Sequence, residues 1–138
     1  MNRRRYTHLL QPDRDLFALY LSSLDDPYAH IDFDVRVGLG ADPGDNFPDY
    51  IRHMAIHLSQ RRIDAVGFTG NRIDIIEITT KAGLTALGQL HAYPQLYRQT
   101  FFPSLPLVPV LVTHGFQPDV QPLFESAGFR IHVLPRPE

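Results

Sequence analysis

Residues 62–81 read RIDAVGFTGNRIDIIEITTK, and this stretch decides the fold. Two apolar runs, 63–68 and 73–80, flank a Thr-Gly-Asn-Arg turn, a pattern that predicts a β-hairpin. The first run carries Asp64 and the second carries Glu77, so the hairpin holds two carboxylates on neighbouring strands. Mg²⁺ prefers oxygen ligands and usually binds one or two carboxylates together with phosphate and water. We therefore expect Asp64 and Glu77 to be metal ligands suited to phosphodiester hydrolysis.

A helix is predicted over residues 82–93, directly after the hairpin. Gln89 and Tyr93 are four residues apart in it, so they lie one turn apart on the same helix face. The helix also carries small residues that would let it sit close to the sheet, namely Gly83, Ala86 and Gly88. We expect both polar side chains to reach the end of the hairpin that carries the two carboxylates.

The composition is that of a soluble globular protein with one domain, which we place at residues 1–138. The chain is 43% hydrophobic and 20% charged. It has no cysteine, so disulfides and thiolate metal sites are excluded. No apolar run approaches the roughly 20 residues that span a bilayer, and the basic N-terminus lacks the apolar run of a signal peptide. We therefore expect a cytoplasmic protein that has no membrane partner.

The net charge of −2 gives no overall preference for nucleic acid. Proteins that hold duplex DNA through many phosphates usually carry a basic surface. A local basic patch remains open, formed either by Arg3, Arg4 and Arg5 or by Arg61 and Arg62. The alternative interpretation is a solvated basic tail and a solvated strand edge.

The remaining elements follow from hydrophobic periodicity and from turn residues. Helices are predicted over residues 11–24, 47–60, 82–93 and 118–127, and strands over 31–37, 63–68, 73–80, 107–113 and 129–134. The apolar stripe of the second helix consists of Ile51, Met54, Ala55 and Leu58. Pro94 is expected to break or kink the third helix, leaving 95–101 as a separate turn. The order α-β-α-β-β-α-β-α-β predicts an α/β fold, a mixed β-sheet with helices on both faces.

The motifs and their order resemble the PD-(D/E)xK nuclease superfamily, in particular its RecB-like branch with a Gln-x-x-x-Tyr helix. Asp64 matches the first motif acid, and Gln89-Leu-His-Ala-Tyr93 matches the helix motif. Glu77-Ile78-Thr79 falls where the family has Glu-x-Lys. The resemblance covers about residues 45–134. It implies a restriction-endonuclease-like core, Mg²⁺ as the cofactor and DNA as the substrate.

The chain departs from the family at Thr79, which stands where the family has a lysine. That lysine positions or activates the attacking water, whereas a threonine side chain carries no charge. Lys81 has the same strand parity and is the candidate replacement, although it lies roughly 6–7 Å further along the strand. The family often supplies another acid from an upstream helix, where the second helix of this chain offers only Asp49. The catalytic residues that the resemblance implies are Asp64, Glu77, Lys81, Gln89 and Tyr93.

Two functions are consistent with these features. The first is a nuclease-like domain with a degenerate active site, which serves as a non-catalytic structural or assembly subunit. It would bind other protein subunits or form a homo-oligomer, as in the connector or neck of a bacteriophage virion. Thr79, the absent basic surplus and the 12 prolines favour this function. The second is an active Mg²⁺-dependent DNA endonuclease or exonuclease that uses Asp64 and Glu77.

Two questions stay open at the level of the sequence. Taken alone, Asp64 also fits an exposed strand charge that is paired with Arg62 or Arg72. Residues 1–45 contain a predicted helix and strand, which either complete the core or form a docking arm.

Overall fold

The computed structural model of the chain describes residues 9–137. The helices are α1 (Gln11–Ser23), α2 (Asp49–Ser59), α3 (Leu84–Phe101) and α4 (Gln121–Ser126). The strands are β1 (His30–Val37), β2 (Arg61–Phe68), β3 (Ile73–Ile78), β4 (Leu107–Thr113) and β5 (Arg130–Val133). The predicted order of elements and the α/β class are both confirmed. The possible basic patch at Arg3, Arg4 and Arg5 lies outside the described residues.

All five strands form one mixed sheet in the order β1-β2-β3-β4-β5. β2 is antiparallel to both β1 and β3, whereas β3, β4 and β5 are parallel to one another. Parallel neighbours need a crossover connection, and α3 and α4 supply the two that this sheet requires. The β2–β3 pair is the predicted hairpin, with Phe68 opposite Ile73 next to the turn. This architecture is compatible with a restriction-endonuclease-like core.

Helices cover both faces of the sheet, so the central strands are buried on both sides. α1 packs on one face through Leu16, Phe17 and Tyr20. The opposite face is covered by α3 and α4, whose apolar side chains pack on Ile75 and Leu111. This double cover explains why β4 reads as a nearly continuous apolar run. Each fully buried aliphatic or aromatic side chain contributes roughly 1.5–3 kcal/mol to folding.

The prediction that Pro94 ends the third helix is wrong, because α3 runs from Leu84 to Phe101 with Pro94 inside it. A proline in a helix interior costs about 3 kcal/mol, since it removes one hydrogen bond and crowds the preceding turn. Tyr93, Pro94 and Tyr97 are all buried, and this burial offsets the cost. Residues 95–101 therefore continue the helix.

The apolar stripe that was predicted for the second helix is largely exposed. α2 has no buried side chain, and Met54 and Leu58 are 55% and 66% exposed. Polar contacts hold the neighbouring loop, where Arg52 pairs with Asp42 at 2.7 Å. α2 is therefore an amphipathic helix with much of its apolar side turned outward. Within residues 9–137, no helix has both the length and the apolar character needed to cross a membrane.

A buried acid near the start of β3 shows how this fold neutralises a structural charge. Asp74 is fully buried, and it accepts hydrogen bonds from Arg72 at 2.9 Å and from the Tyr28 hydroxyl at 2.5 Å. The Tyr20 and Tyr28 hydroxyl oxygens are 2.7 Å apart, which links this network to α1. Gly67 lies opposite Asp74, and a Cβ added there would be 2.6 Å from the Tyr28 ring.

We predict that Gly67→Ala lowers the free energy of unfolding by about 1–3 kcal/mol, because the Tyr28 ring must move away from Asp74. Urea denaturation measures this loss. The matched control is Gly88→Ala in α3, where an added Cβ meets no atom within 4 Å. That exposed helix position should gain roughly 0.5–1 kcal/mol, since alanine is the better helix former. Equal losses in the two variants would contradict the packing argument.

Candidate functional site

The pairing between β2 and β3 stops just before Asp64, the first predicted acid. The β2–β3 ladder ends with Ala65 opposite Ile76, although both strands continue beyond that pair. One step further, the same register sets Asp64 against Glu77. Instead of main-chain pairing, the Asp64 carboxylate accepts a hydrogen bond from the main-chain N–H of Ile78 at 2.9 Å. The two strands therefore part at Asp64, and its side chain stands at the fork.

Glu77 lies beside Asp64 in a buried position. Its side chain is only 3% exposed, and within the described chain its Oε1 has no hydrogen-bond partner. Burial raises the pKa of Glu77 well above its ordinary value, and the negative charge of Asp64 raises it further. A hydrogen bond between the two side chains acts in the same direction. The raised pKa favours the protonated form of Glu77.

A third carboxylate, Asp13 on α1, which the sequence interpretation did not assign to the site, lies within range of the Asp64 charge. Burial raises the pKa of Asp13, and the charge of Asp64 raises it further. A main-chain hydrogen bond from Thr80 lowers that pKa. Asp13 therefore lies close enough to feel the Asp64 charge, although the two residues are on different elements. Asp13 is therefore an electrostatic neighbour of the Asp64–Glu77 pair rather than part of a three-carboxylate group.

The sequence contains a signal for Asp13. Asp13 precedes Leu16 and Phe17 by three and four residues, so it belongs to the buried face of α1. A negative charge in the first turn is also what the helix dipole favours, so this position alone does not mark Asp13 as a site residue. Asp49, the acid expected from an upstream helix, is exposed and lies 3.9 Å from Arg52.

The Gln/Tyr pair of α3 faces the fork. Gln89 donates a hydrogen bond to the Tyr93 hydroxyl at 3.3 Å, and both residues line a cleft of about 390 Å³ together with Asp64. Burial raises the pKa of Tyr93, and the charges of Glu77 and Asp64 raise it further, whereas Gln89 and Arg61 lower it. The structure therefore brings Asp64, Glu77, Gln89 and Tyr93 together.

Lys81 is not part of this arrangement. β3 ends at Ile78, two residues earlier than predicted, so strand alternation does not extend to Lys81. The Lys81 side chain is exposed, and Lys81 is not among the residues that line the cleft. Thr79 is half-buried, and its hydroxyl lies 3.5 Å from the main-chain oxygen of Lys81.

The two arginines that were considered as partners of Asp64 pair with other acids. Arg72 bonds Asp74 at 2.9 Å, and Arg62 forms an ion pair with Asp34. Arg62 nevertheless lines the cleft, as does its neighbour Arg61. The charge of each of these arginines is therefore paired with an acid other than Asp64.

Asp34 marks a change of direction in β1. Its φ of 54° is left-handed, although it lies in the middle of a strand directly across from Asp64. Ile31 and Phe33 pack in the α1 layer, whereas Val35 and Val37 pack in the α3 layer. The odd-numbered residues of β1 therefore face α1 before Asp34 and α3 after it. Such a conformation costs of order 1–3 kcal/mol in a residue other than glycine, and it recurs at functional sites.

The donor set fits a hard divalent cation. Asp64 and Glu77 offer adjacent carboxylates, and the unpaired buried Oε1 of Glu77 is a ligand atom without a competing partner. Mg²⁺ typically takes one or two carboxylates and completes its shell with water and phosphate. In the part of the chain that the structure describes, no three His, Cys, Asp or Glu side chains are grouped so that they could hold a metal ion.

Comparison with family models, curated proteins and solved structures finds no match for this chain. The resemblance to PD-(D/E)xK nucleases therefore rests on the residues quoted above and on their arrangement.

We predict that Glu77→Gln changes how stability depends on pH. Because the folded pKa of Glu77 is raised, the folded protein keeps its proton while the unfolded chain releases it above about pH 4.5. Stability of the wild type therefore falls as pH rises from that value towards the folded pKa, by about 1.4 kcal/mol per pH unit. Glutamine does not titrate, so the variant should gain stability relative to the wild type as pH rises above about 4.5.

Urea denaturation in EDTA at several pH values measures the difference. The control is Glu125→Gln on α4, because Glu125 is exposed and its variant should follow the wild-type pH curve. Parallel curves for the wild type and Glu77→Gln would show that Glu77 is ionised in the folded protein.

Proposed function

We propose that this protein is a nuclease-like domain whose cleft binds Mg²⁺ and DNA but no longer cuts DNA efficiently, so that it acts as a structural or assembly subunit. The observation that carries the proposal is the Asp64–Glu77 pair. Asp64 and Glu77 are adjacent at the fork of the hairpin. Asp64 lines the cleft with Gln89 and Tyr93, and Glu77 is buried beside Asp64 with an unpaired oxygen. These contacts support the metal-binding half of a nuclease site.

The chemistry of the site explains why hydrolysis is the weaker function. Bound Mg²⁺ would polarise the phosphoryl oxygen and lower the pKa of a bound water, with Asp64 and Glu77 as its protein ligands. Gln89 and Tyr93 offer an amide and a hydroxyl on the cleft wall for the substrate backbone. Thr79 carries no charge to hold the attacking water. Lys81 lies outside the cleft, and catalytic geometry tolerates displacements of only about 1 Å.

An assembly role is supported by the surface of α2. Tyr50, Met54 and Leu58 are exposed on this helix, and residues of this kind are frequent in contacts between subunits. Other protein subunits or a second copy of the chain are the partners that we propose. A bacteriophage virion as the site of assembly remains a prediction from the resemblance.

An active Mg²⁺-dependent DNA nuclease is the second candidate, and one observation favours it. Arg61 lines the cleft, and its charge lowers the pKa of Tyr93. The cleft therefore contains a cation on β2, although the family places its lysine on β3.

We predict that Thr79→Lys restores cleavage. A lysine at this position adds the missing charge beside Glu77, and a positioned acid or base is typically worth 10²–10⁴ in rate. Plasmid nicking in Mg²⁺ or Mn²⁺ should be feeble for the wild type and about 10²-fold faster for the variant. Thr85→Lys is the matched control, because Thr85 is exposed on α3 and its lysine adds the same charge outside the cleft.

The double variant Thr79→Lys with Glu77→Ala should be inactive. Robust cleavage by the wild type that Glu77→Ala abolishes would establish the active nuclease and reject the degenerate site.

We also predict that the wild type binds one Mn²⁺ or Mg²⁺ and releases a proton on binding. The raised pKa of Glu77 means that its proton must leave before its carboxylate becomes a ligand. In calorimetry at pH 7.5, the measured heat should therefore depend on the ionisation enthalpy of the buffer. Asp64→Asn should abolish binding, whereas Lys81→Ala should leave it unchanged. Unaltered binding by Asp64→Asn would place the cation elsewhere.

A further inference from the structure

Two arginines on one strand stand at the same cleft. Arg61 and Arg62 are consecutive residues of β2, both are exposed, and both line the cleft that contains Asp64. Arg62 forms an ion pair with Asp34, whose side chain is 30% exposed. Among residues 9–137, no carboxylate forms an ion pair with Arg61. The cleft therefore has one paired and one unpaired guanidinium group.

Consecutive residues of a regular strand point to opposite faces of a sheet, so the shared position of these two side chains needs an explanation. Both side chains are long and exposed, and Arg62 reaches Asp34, which lines the same cleft. Ile63 and Ala65 have the same parity, yet Ile63 packs in the α3 layer and Ala65 in the α1 layer. The β1–β2 ribbon thus changes faces just beyond Arg61 and Arg62, whose main chains pair regularly with Val37 and Arg36.

A guanidinium group matches the geometry of a phosphate, because its fork of N–H groups can donate two parallel hydrogen bonds to two oxygens. A carboxylate oxygen accepts the same kind of hydrogen bond, and Arg62 Nε donates one to Asp34 Oδ1. The Arg62 and Asp34 side chains are 47% and 30% exposed. Ion pairs at this degree of exposure are weak and exchange readily for another anion.

We propose that Arg61 and Arg62 form a phosphate clamp for the backbone of a nucleic acid, with Arg62 held in reserve by Asp34. Arg61, which has no ion-pair partner among residues 9–137, binds the first phosphate. Arg62 leaves Asp34 when a second phosphate enters the cleft. Asp34 thereby places the Arg62 side chain and lowers the affinity of the empty cleft for polyanions. This inference depends on the proposed function in one respect, namely that the cleft binds a nucleic acid.

The test is fluorescence anisotropy of a labelled 12-nucleotide single-stranded DNA with the full chain, in EDTA and over a series of salt concentrations. Arg61→Gln and Arg62→Gln should each weaken binding. Each should also reduce the slope of log affinity against log salt by about 0.7, the value for one phosphate contact on a single strand. Arg98→Gln is the matched control, since Arg98 is exposed on α3 away from the cleft, and its slope should equal that of the wild type.

The reserve role of Asp34 has its own variant. Asparagine tolerates the left-handed conformation and keeps the shape of the side chain, so Asp34→Asn removes only the charge. It should tighten binding by about fivefold, the equivalent of a weak surface ion pair. The gain should vanish when Arg62→Gln is added. Unchanged or weaker binding by Asp34→Asn would overturn the reserve role.

The clamp itself is overturned if Arg61→Gln and Arg62→Gln keep the wild-type slope of log affinity against log salt. It is also overturned if Arg98→Gln reduces that slope as much as these two variants do. Because EDTA removes divalent cations, this result is independent of the metal site. Calorimetric Mn²⁺ binding without arginine-dependent DNA binding rejects the clamp and leaves the proposed cation site. Arginine-dependent DNA binding without Mn²⁺ binding rejects the cation site and leaves the clamp.

Discussion

The parting of β2 from β3 at Asp64 is the constraint on which the site depends. In a continued ladder, Asp64 and Glu77 would stand directly opposite each other, with Cβ atoms about 5 Å apart and like charges facing. Because the ladder stops at Ala65, the Asp64 carboxylate replaces a main-chain acceptor for Ile78. That single hydrogen bond satisfies a main-chain donor, fixes the orientation of the carboxylate and opens the space that becomes the cleft.

The same strand shows two ways of treating a buried acid. Asp74 receives a guanidinium group and a tyrosine hydroxyl, so its charge is neutralised within the fold. Glu77, three residues later, receives another carboxylate as its neighbour and retains an unpaired oxygen. Desolvation together with a like charge is an expensive combination, and it is concentrated at sites that perform chemistry. A bound cation, as proposed for this site, would convert this repulsion into binding energy.

The fold could be predicted from the sequence because hydrophobic periodicity and turn residues specify its elements. The hairpin, the order of nine elements and the double cover of the sheet all follow from local patterns. The meeting of Gln89 and Tyr93 with the acids could also be anticipated, since helical spacing fixes their common face. Local patterns could not show that α3 continues through Pro94, because burial of its neighbours decides that.

Two residues near the site could not be identified from such patterns. Asp13 is brought near the site by the packing of α1, and its position in the first helical turn has a sufficient local explanation. The left-handed backbone at Asp34 interrupts an alternation of apolar and polar residues that is unbroken in the sequence. The ion-pair partners of Arg62 and Arg72 could not be predicted either, because each arginine has more than one acid within reach along the chain.

The distribution of positive charge decides what the cleft can do. The family places a lysine on the strand of the glutamate, whereas this chain has Thr79 there and arginines on the neighbouring strand. An arginine stays protonated at any physiological pH, so it binds phosphate firmly but accepts no proton from water. A lysine among carboxylates can do both, because its pKa shifts when it is buried. Under the proposed function, moving the charge from lysine to Arg61 and Arg62 would preserve binding of a phosphodiester and remove the group that activates its hydrolysis.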